Sequence, residues 1–138
     1  MAQNESNRWV MSDKLKILVV DDQIAVAMMM VFILSRAGCQ AEAALNAEQA
    51  LQRAETESFD LVTLDIGMPG LDGFTLFRRF KEIPCFRETP VVFVTGQATA
   101  EDRQRAFEMG AADFIEKPFD AKVFVSRVLS LLEETATA

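Results

Sequence analysis

The sequence contains no histidine. That argues against imidazole acid–base catalysis, Ser–His–Asp triads and zinc sites. Cysteine is scarce: Cys39 and Cys85 stand apart, form no CxxC pair and read as inert thiols. Basic charge is outnumbered, with 14 Lys and Arg against 21 Asp and Glu and a formal net charge of −7. Sequence-independent binding to DNA or acidic membranes needs clustered basic residues, so neither is expected as a partner. Long apolar runs are missing too. The longest uncharged one, Ile24 to Leu34, is eleven residues and cannot span a bilayer. The opening "MAQNESNRWVMSDK" lacks the basic-then-apolar layout of a signal peptide. A cytoplasmic protein with reduced thiols is expected. No Gly-rich loop of the GxxxxGK type is present, so a nucleotide is not expected.

What remains is a chain of 138 residues, half hydrophobic and a quarter charged. That length suits one domain with a core that needs no staples. Its elements alternate. "KILVV" reads as a buried strand, and Ile24 to Ala37 as a helix stopped by Gly38. "CQAEAAL" reads as a second strand, followed by a helix from Ala47 to about Glu57 with Asn46 as N-cap. "DLVTLD" is a third strand, "GMPGLDG" a turn-rich loop, and Phe74 to Ile83 a helix with Phe74, Phe77 and Phe80 on one side. "VVFVT" is a fourth strand. Thr99 and Asp102 form a capping-box pattern for a helix to Met109. "ADFIEK" is a fifth strand, and a last helix runs from about Asp120 to Glu133, with Phe124, Val128, Leu131 and Leu132 toward the core. Five such alternations predict a parallel sheet with helices on both faces.

In such a sheet, ligands sit beyond the carboxyl ends of the strands. Those ends carry Asp21 and Asp22, then Asp65, Thr95 and Lys117. A parallel sheet gathers all five on one rim. Two unit charges about 4 Å apart repel by roughly 4 kcal/mol at an effective dielectric near 20, so three acids there want a cation. Mg²⁺ prefers oxygen ligands and is typically held by one or two carboxylates plus a phosphate. Lys117 offers a point charge for a phosphoryl oxygen, Thr95 a hydroxyl, and Asp65 a nucleophile.

"ILVVDD", "LVTLDIGMPGLDGF", "VVFVTG" and "GAADFIEKPF" together resemble the receiver domain of two-component response regulators, over roughly Lys16 to Leu132. The resemblance implies a flavodoxin-like five-stranded parallel sheet of order 2-1-3-4-5. It implies a receiver domain over 15–134, a flexible extension over 1–14 and a tail over 135–138. Asp65 would accept a phosphoryl group from a phosphohistidine on a sensor histidine kinase or histidine phosphotransfer protein. Mg²⁺ would be held by Asp22 directly, by Asp21 through water, by Asp65 and by the backbone carbonyl of Gly67. Lys117 would pair with the phosphoryl group, and its bond to Pro118 would be cis. Thr95 and Phe114 would form the switch. Gln97 and Gly67 would tune phosphoryl lifetime. The output face would be the fourth helix, fifth strand and fifth helix. Its target would be a partner protein or a domain outside this sequence, since no DNA-binding segment is visible.

Simpler readings stand beside these. Asp22 could cap the first helix, alone or together with metal binding. Asp72 and Asp113 fit turns or solubility. A small Mg²⁺-dependent phosphohydrolase with an Asp nucleophile is the second reading. Such enzymes look for a second acid two residues on, where this chain has Gly67. A flavin binder is a third, weakened by the absence of a Ser/Thr-rich phosphate loop. The first helix is apolar on two sides. Val26, Met30, Ile33 and Ala37 are expected to face the sheet, and Ile24, Ala27, Met28 and Val31 to face outward beside Ser35. Met28 and Val31 are therefore expected to dock a phosphodonor, unless "RWVM" of the extension covers them.

Overall fold

The computed structural model describes residues 14–96 and 98–137. The expectation about "RWVM" and the one about Gln97 lie outside them. Five strands form one sheet: β1 (Lys16–Val20), β2 (Gln40–Ala44), β3 (Leu61–Leu64), β4 (Val91–Thr95) and β5 (Asp113–Glu116). All pairings are parallel, in the order β2-β1-β3-β4-β5. Between and after them run α1 (Ile24–Arg36), α2 (Ala47–Thr56), α3 (Gly73–Glu82), α4 (Ala100–Glu108) and α5 (Ala121–Thr137). The last helix therefore continues past the expected stop near Glu133. A short 3₁₀ turn, Pro84–Phe86, links α3 to β4.

Alternation along the strands builds two cores. Ile17 and Val19 of β1 join Ala27, Met30 and Leu34 of α1 and Phe124, Val128 and Leu132 of α5 on one face. Leu18 and Val20 join Phe74, Phe77, Phe80, Phe93 and Phe114 on the other. A sheet covered on both faces needs unbroken apolar strands, which is why "KILVV" and "VVFV" show no polar alternation. Phe93 sits at the centre of the second core, its ring centroid 5.4 Å from Phe74, 5.7 Å from Phe77 and 6.3 Å from Phe114. Each ring buries a large apolar area, so this cluster dominates that face.

The caps follow the side chains. Asn46 accepts from the backbone N–H of Gln49, and Thr99 and Asp102 form the full capping box. Two acids read as turn residues have more specific work. Asp72 caps α3 by accepting from the Thr75 N–H at 3.0 Å. Asp113 receives both Nε and Nη2 of Arg127 at 2.8 and 2.6 Å, fastening α5 to β5.

The phase of α1 differs from expectation. Ala27, expected outward, is fully buried with Met30 and Leu34. Val26, Ile33 and Ala37 flank that stripe half-buried, and so does Val31. Ile24, Met28 and Ser35 are exposed as expected, and Met29 and Phe32 join them. Nor does Asp22 cap the helix. The N-cap position is Gln23, whose side chain makes no capping bond. No helix among the described residues is long and apolar enough to cross a membrane.

Candidate functional site at the carboxyl rim of the sheet

Each strand-end group lands where parallel pairing puts it. Register aligns Val20 with Leu64, so the next residues, Asp21 and Asp65, stand side by side. Asp21 is 1% exposed and Asp65 is also buried. One carboxylate oxygen from each of Asp21, Asp22 and Asp65 lies within 4.8 Å of the others. Lys117, the residue after β5, sends its Nζ to Asp21 Oδ2 at 2.5 Å and to Asp65 Oδ2 at 3.3 Å. Thr95 and Gly67 line the same cleft of about 750 Å³, beside Asp22, Asp65 and Lys117.

The second oxygens of the two buried acids are held by backbone. Asp21 Oδ1 accepts from the Gln23 N–H at 2.9 Å, and Asp65 Oδ1 from the Gly67 N–H at 3.0 Å. Both carboxylates therefore keep fixed rotamers and turn Oδ2 toward Lys117. Burial of the Lys117 ammonium works against its charge. The hydrogen bond to Asp21 and the charges of Asp65 and Asp21 outweigh that, and its pKa lies above the usual lysine value. The Lys117–Pro118 peptide bond is cis, as expected.

The oxygen-only donor set fits a hard divalent cation. Three carboxylates within 4.8 Å, two of them buried, carry more negative charge than one lysine offsets. Asp22 is half-buried and, with no helix to cap, has its carboxylate at the cleft.

Other expected residues stand apart. Phe114 lies buried in the opposite core, with the Arg103 guanidinium 5.7 Å from its ring centroid. Met28 and Val31 do not line the cleft. Val26, Met29 and Phe119 do, and form its apolar wall. Sequence reasoning passed over these three. Val26 and Met29 lie three apart, just after the acid pair, which was the available signal. Gly73 was also missed. A Cβ there would stand 2.7 Å from both the Asp65 carbonyl oxygen and the Ile66 Cα. Its N–H donates to the Ile66 carbonyl at 3.1 Å, so α3 starts hard against the loop that carries Asp65.

Five parallel strands in the order 2-1-3-4-5, helices on both faces and an acid cluster at the switch point define a flavodoxin-like fold of the receiver type. The family model for the response regulator receiver domain matches residues 17–129. The chain belongs to that family. It is 37% identical over 118 residues to the transcriptional activator protein IrlR of Burkholderia pseudomallei, covering 86% of this chain and 50% of that one. It is 38% identical over 116 residues to the response regulator PleD of Caulobacter vibrioides, covering 84% and 26%. The chain thus spans half the length of one relative and about a quarter of the other. Among solved structures, a CheY-like receiver domain protein from Methanospirillum hungatei superposes with a TM-score of 0.84 at 27% identity, covering 90% and 98%. The non-phosphorylated HemR receiver domain from Leptospira biflexa gives 0.79 at 34%, covering 86% and 94%.

Proposed function

We propose that this chain is a phosphorylation-dependent signalling switch acting in the cytoplasm, with residues 15–134 as the receiver domain. Asp65 takes a phosphoryl group from a phosphohistidine on a sensor histidine kinase or histidine phosphotransfer protein. An Asp65 oxygen forms the new O–P bond as the P–N bond to the donor imidazole breaks, and the imidazole keeps that electron pair. Oδ2 suits this step, because Oδ1 is held by Gly67. Lys117 meets the incoming phosphoryl oxygens with a charge that its acid partners hold in place against burial. The Thr95 hydroxyl donates to the same group. Asp21, Asp22, Asp65 and the Gly67 carbonyl would hold Mg²⁺, which neutralises charge on the transferring group when bound.

The convergence of three acid side chains with Lys117 on one rim carries this reading. Phosphorylation adds negative charge and acceptor oxygens and draws Lys117 and Thr95 toward them. The readout is the face of α4, β5 and α5, where Phe107 is 42% exposed beside Arg103. Thr95 and Phe114 are the switch residues. The target is a partner protein or an output domain outside this sequence, in keeping with the longer relatives. The donor docks on α1 through Met28 and Val31, of which Met28 is the more exposed.

Incubation with Mg²⁺ and acetyl phosphate should give a base-labile adduct detectable by mass, absent in Asp65→Asn. Rapid turnover of many phosphoesters would instead favour the phosphohydrolase reading, against which stands Gly67 at the position where such enzymes use an acid. Absence of both adduct and Mg²⁺ binding would leave a receiver scaffold without phosphorylation. For docking, Met28→Glu with Val31→Glu should slow transfer from the partner and spare acetyl phosphate. An unchanged partner rate would refute that surface.

A further inference from the structure

Little apolar burial holds α4 to the rest of the domain. Ala106 is its only buried residue, and Arg103, Gln104, Arg105, Phe107 and Glu108 are exposed. A helix on a sheet normally buries a whole apolar stripe. At about 100° per residue, Arg103 and Arg105 fall on the two sides of Ala106. Each lays its guanidinium over a ring that belongs to another element. Arg103 lies 5.7 Å from the Phe114 ring centroid, and Arg105 lies 4.2 Å from that of Phe74.

The Arg105 contact is the closer one. The other Lys and Arg contacts with rings among the described residues lie at 5.1 to 5.8 Å. Arginine stems commonly cover apolar surface, and stem packing alone would give Arg105 no role. Here the charged end itself meets the ring, well inside the range of a cation–π attraction. Arg105 makes no ion pair within 4.0 Å among the described residues, so no acid competes for it.

The ring under Arg105 sits at a telling place. Phe74 directly follows Gly73, whose Cα lies so close to the Asp65 and Ile66 backbone that a Cβ would stand 2.7 Å from each. The Gly73 N–H donates to the Ile66 carbonyl at 3.1 Å. Asp72, one residue earlier, caps α3 through the Thr75 N–H. That bond is the main cause of its lowered pKa, and the Arg105 charge lowers it further. Residues 72–74 are thus fixed by the cap, by the Asp65 loop and by α4 together.

We infer that Arg105 is a positioning residue: through Phe74 it ties α4 to the loop that carries Asp65 and the Gly67 carbonyl. This rests on the reading of Asp65 as the phosphoryl acceptor. The tie is separate from Thr95 and Phe114, so the readout face and the reacting group are joined at two places. A target that grips α4 then also acts on Asp65, since coupling between sites is reciprocal.

Two backbone amides report on the loop directly. The Gly67 N–H is held by Asp65 Oδ1 and the Gly73 N–H by the Ile66 carbonyl. In Arg105→Met, hydrogen exchange at both should speed about fivefold, while amides of β1 keep the parent's rate. Labelling by acetyl phosphate with Mg²⁺ should slow by a similar factor. Arg105→Lys keeps a cation over the ring and should stay within about twofold of the parent on both measures. Phe74→Leu removes the ring, so adding Arg105→Met to it should change either measure by less than about twofold. If Phe74→Leu fails to fold, the contrast between Arg105→Met and Arg105→Lys decides alone. Unchanged exchange at Gly67 and Gly73 overturns the proposal. So does equal acceleration at every amide, which would make Arg105 a contributor to global stability only. Faster loop exchange with unchanged labelling overturns it as well. A parent chain that takes no label refutes the acceptor reading instead, and the exchange at Gly67 and Gly73 still decides whether Arg105 holds the loop.

Discussion

Replacing Lys117 with Met keeps most of the side chain's length and removes its charge. Asp21 and Asp65 then remain buried beside each other with no cation from the protein. At 3.3 Å, the Lys117–Asp65 attraction alone is about 5 kcal/mol at an effective dielectric near 20. Desolvation offsets much of that gross figure, and breaking a buried pair by removing one partner costs about 3–5 kcal/mol. The Lys117 side chain keeps 14% exposure, so the lower end, about 3 kcal/mol, is expected. Its raised pKa means this stabilisation is fully present below the usual lysine pKa. It is lost only as pH rises through the higher folded value, so neutral pH reads all of it.

Urea unfolding suits the measurement, because guanidinium would screen the charges. In EDTA, Lys117→Met should lose about 3 kcal/mol, whereas Asp65→Asn should gain about 1 kcal/mol by removing one of the repelling acids. Lys117 keeps its shorter bond to Asp21 in that variant. Mg²⁺ should then reverse part of the loss. Saturation to about a hundredfold over Kd contributes about 2.7 kcal/mol, and the Lys117→Met variant binds more tightly because no ammonium competes for the acids. Its midpoint should therefore rise more with Mg²⁺ than the parent's. A loss below about 1 kcal/mol in EDTA, or an equal Mg²⁺ response, would refute this account of the rim.

The remaining expectations concern the frame around the site. Thr63 Oγ1 is buried without a hydrogen-bond partner, so Thr63→Val should raise stability by about 1 kcal/mol in urea titration; a loss would reveal a partner for the hydroxyl. Gly73→Ala drives a Cβ into the Asp65 and Ile66 backbone, costing about 1–3 kcal/mol. It should also slow acetyl phosphate labelling beyond what lost stability explains, and normal labelling would show that the Asp65 loop accommodates it. Asp72→Ala removes the α3 cap at about 1 kcal/mol near neutral pH. The bond from Thr75 holds the Asp72 pKa low, so the gap between parent and variant should close as pH falls from the usual aspartate value through the lower folded one. A gap constant with pH would mean the carboxylate charge contributes nothing to the cap.

The rim was legible because it depends on backbone alone. Once the strands run parallel, the residues after them must gather, whatever their side chains do, and Asp21, Asp65, Thr95 and Lys117 did so. Side-chain choices were less legible. Lys117 could have favoured Asp65, yet it lies nearer Asp21, by 2.5 against 3.3 Å. The phase of α1 was hardest, because a helix apolar all round offers two equally good inward stripes. What sets that phase is local: the chain turns at Asp21, whose Oδ1 accepts from the Gln23 N–H at the helix entrance. Asp21 therefore grips α1 with one oxygen and Lys117 with the other. If Lys117 turns to a phosphoryl group, as proposed, Asp21 would lose the partner of its Oδ2 while Oδ1 still held the start of α1. Asp21 is thus one link between the reacting centre and the helix that exposes Met28 and Phe32. Asp21→Asn tests that link: it keeps an oxygen for Gln23 and weakens the hold on Lys117. Hydrogen exchange at the first turn of α1 should then stay near the parent's, whereas Asp21→Ala should speed it. Equal exchange in both variants would mean that the turn is held by the packing of Ala27 and Met30 alone.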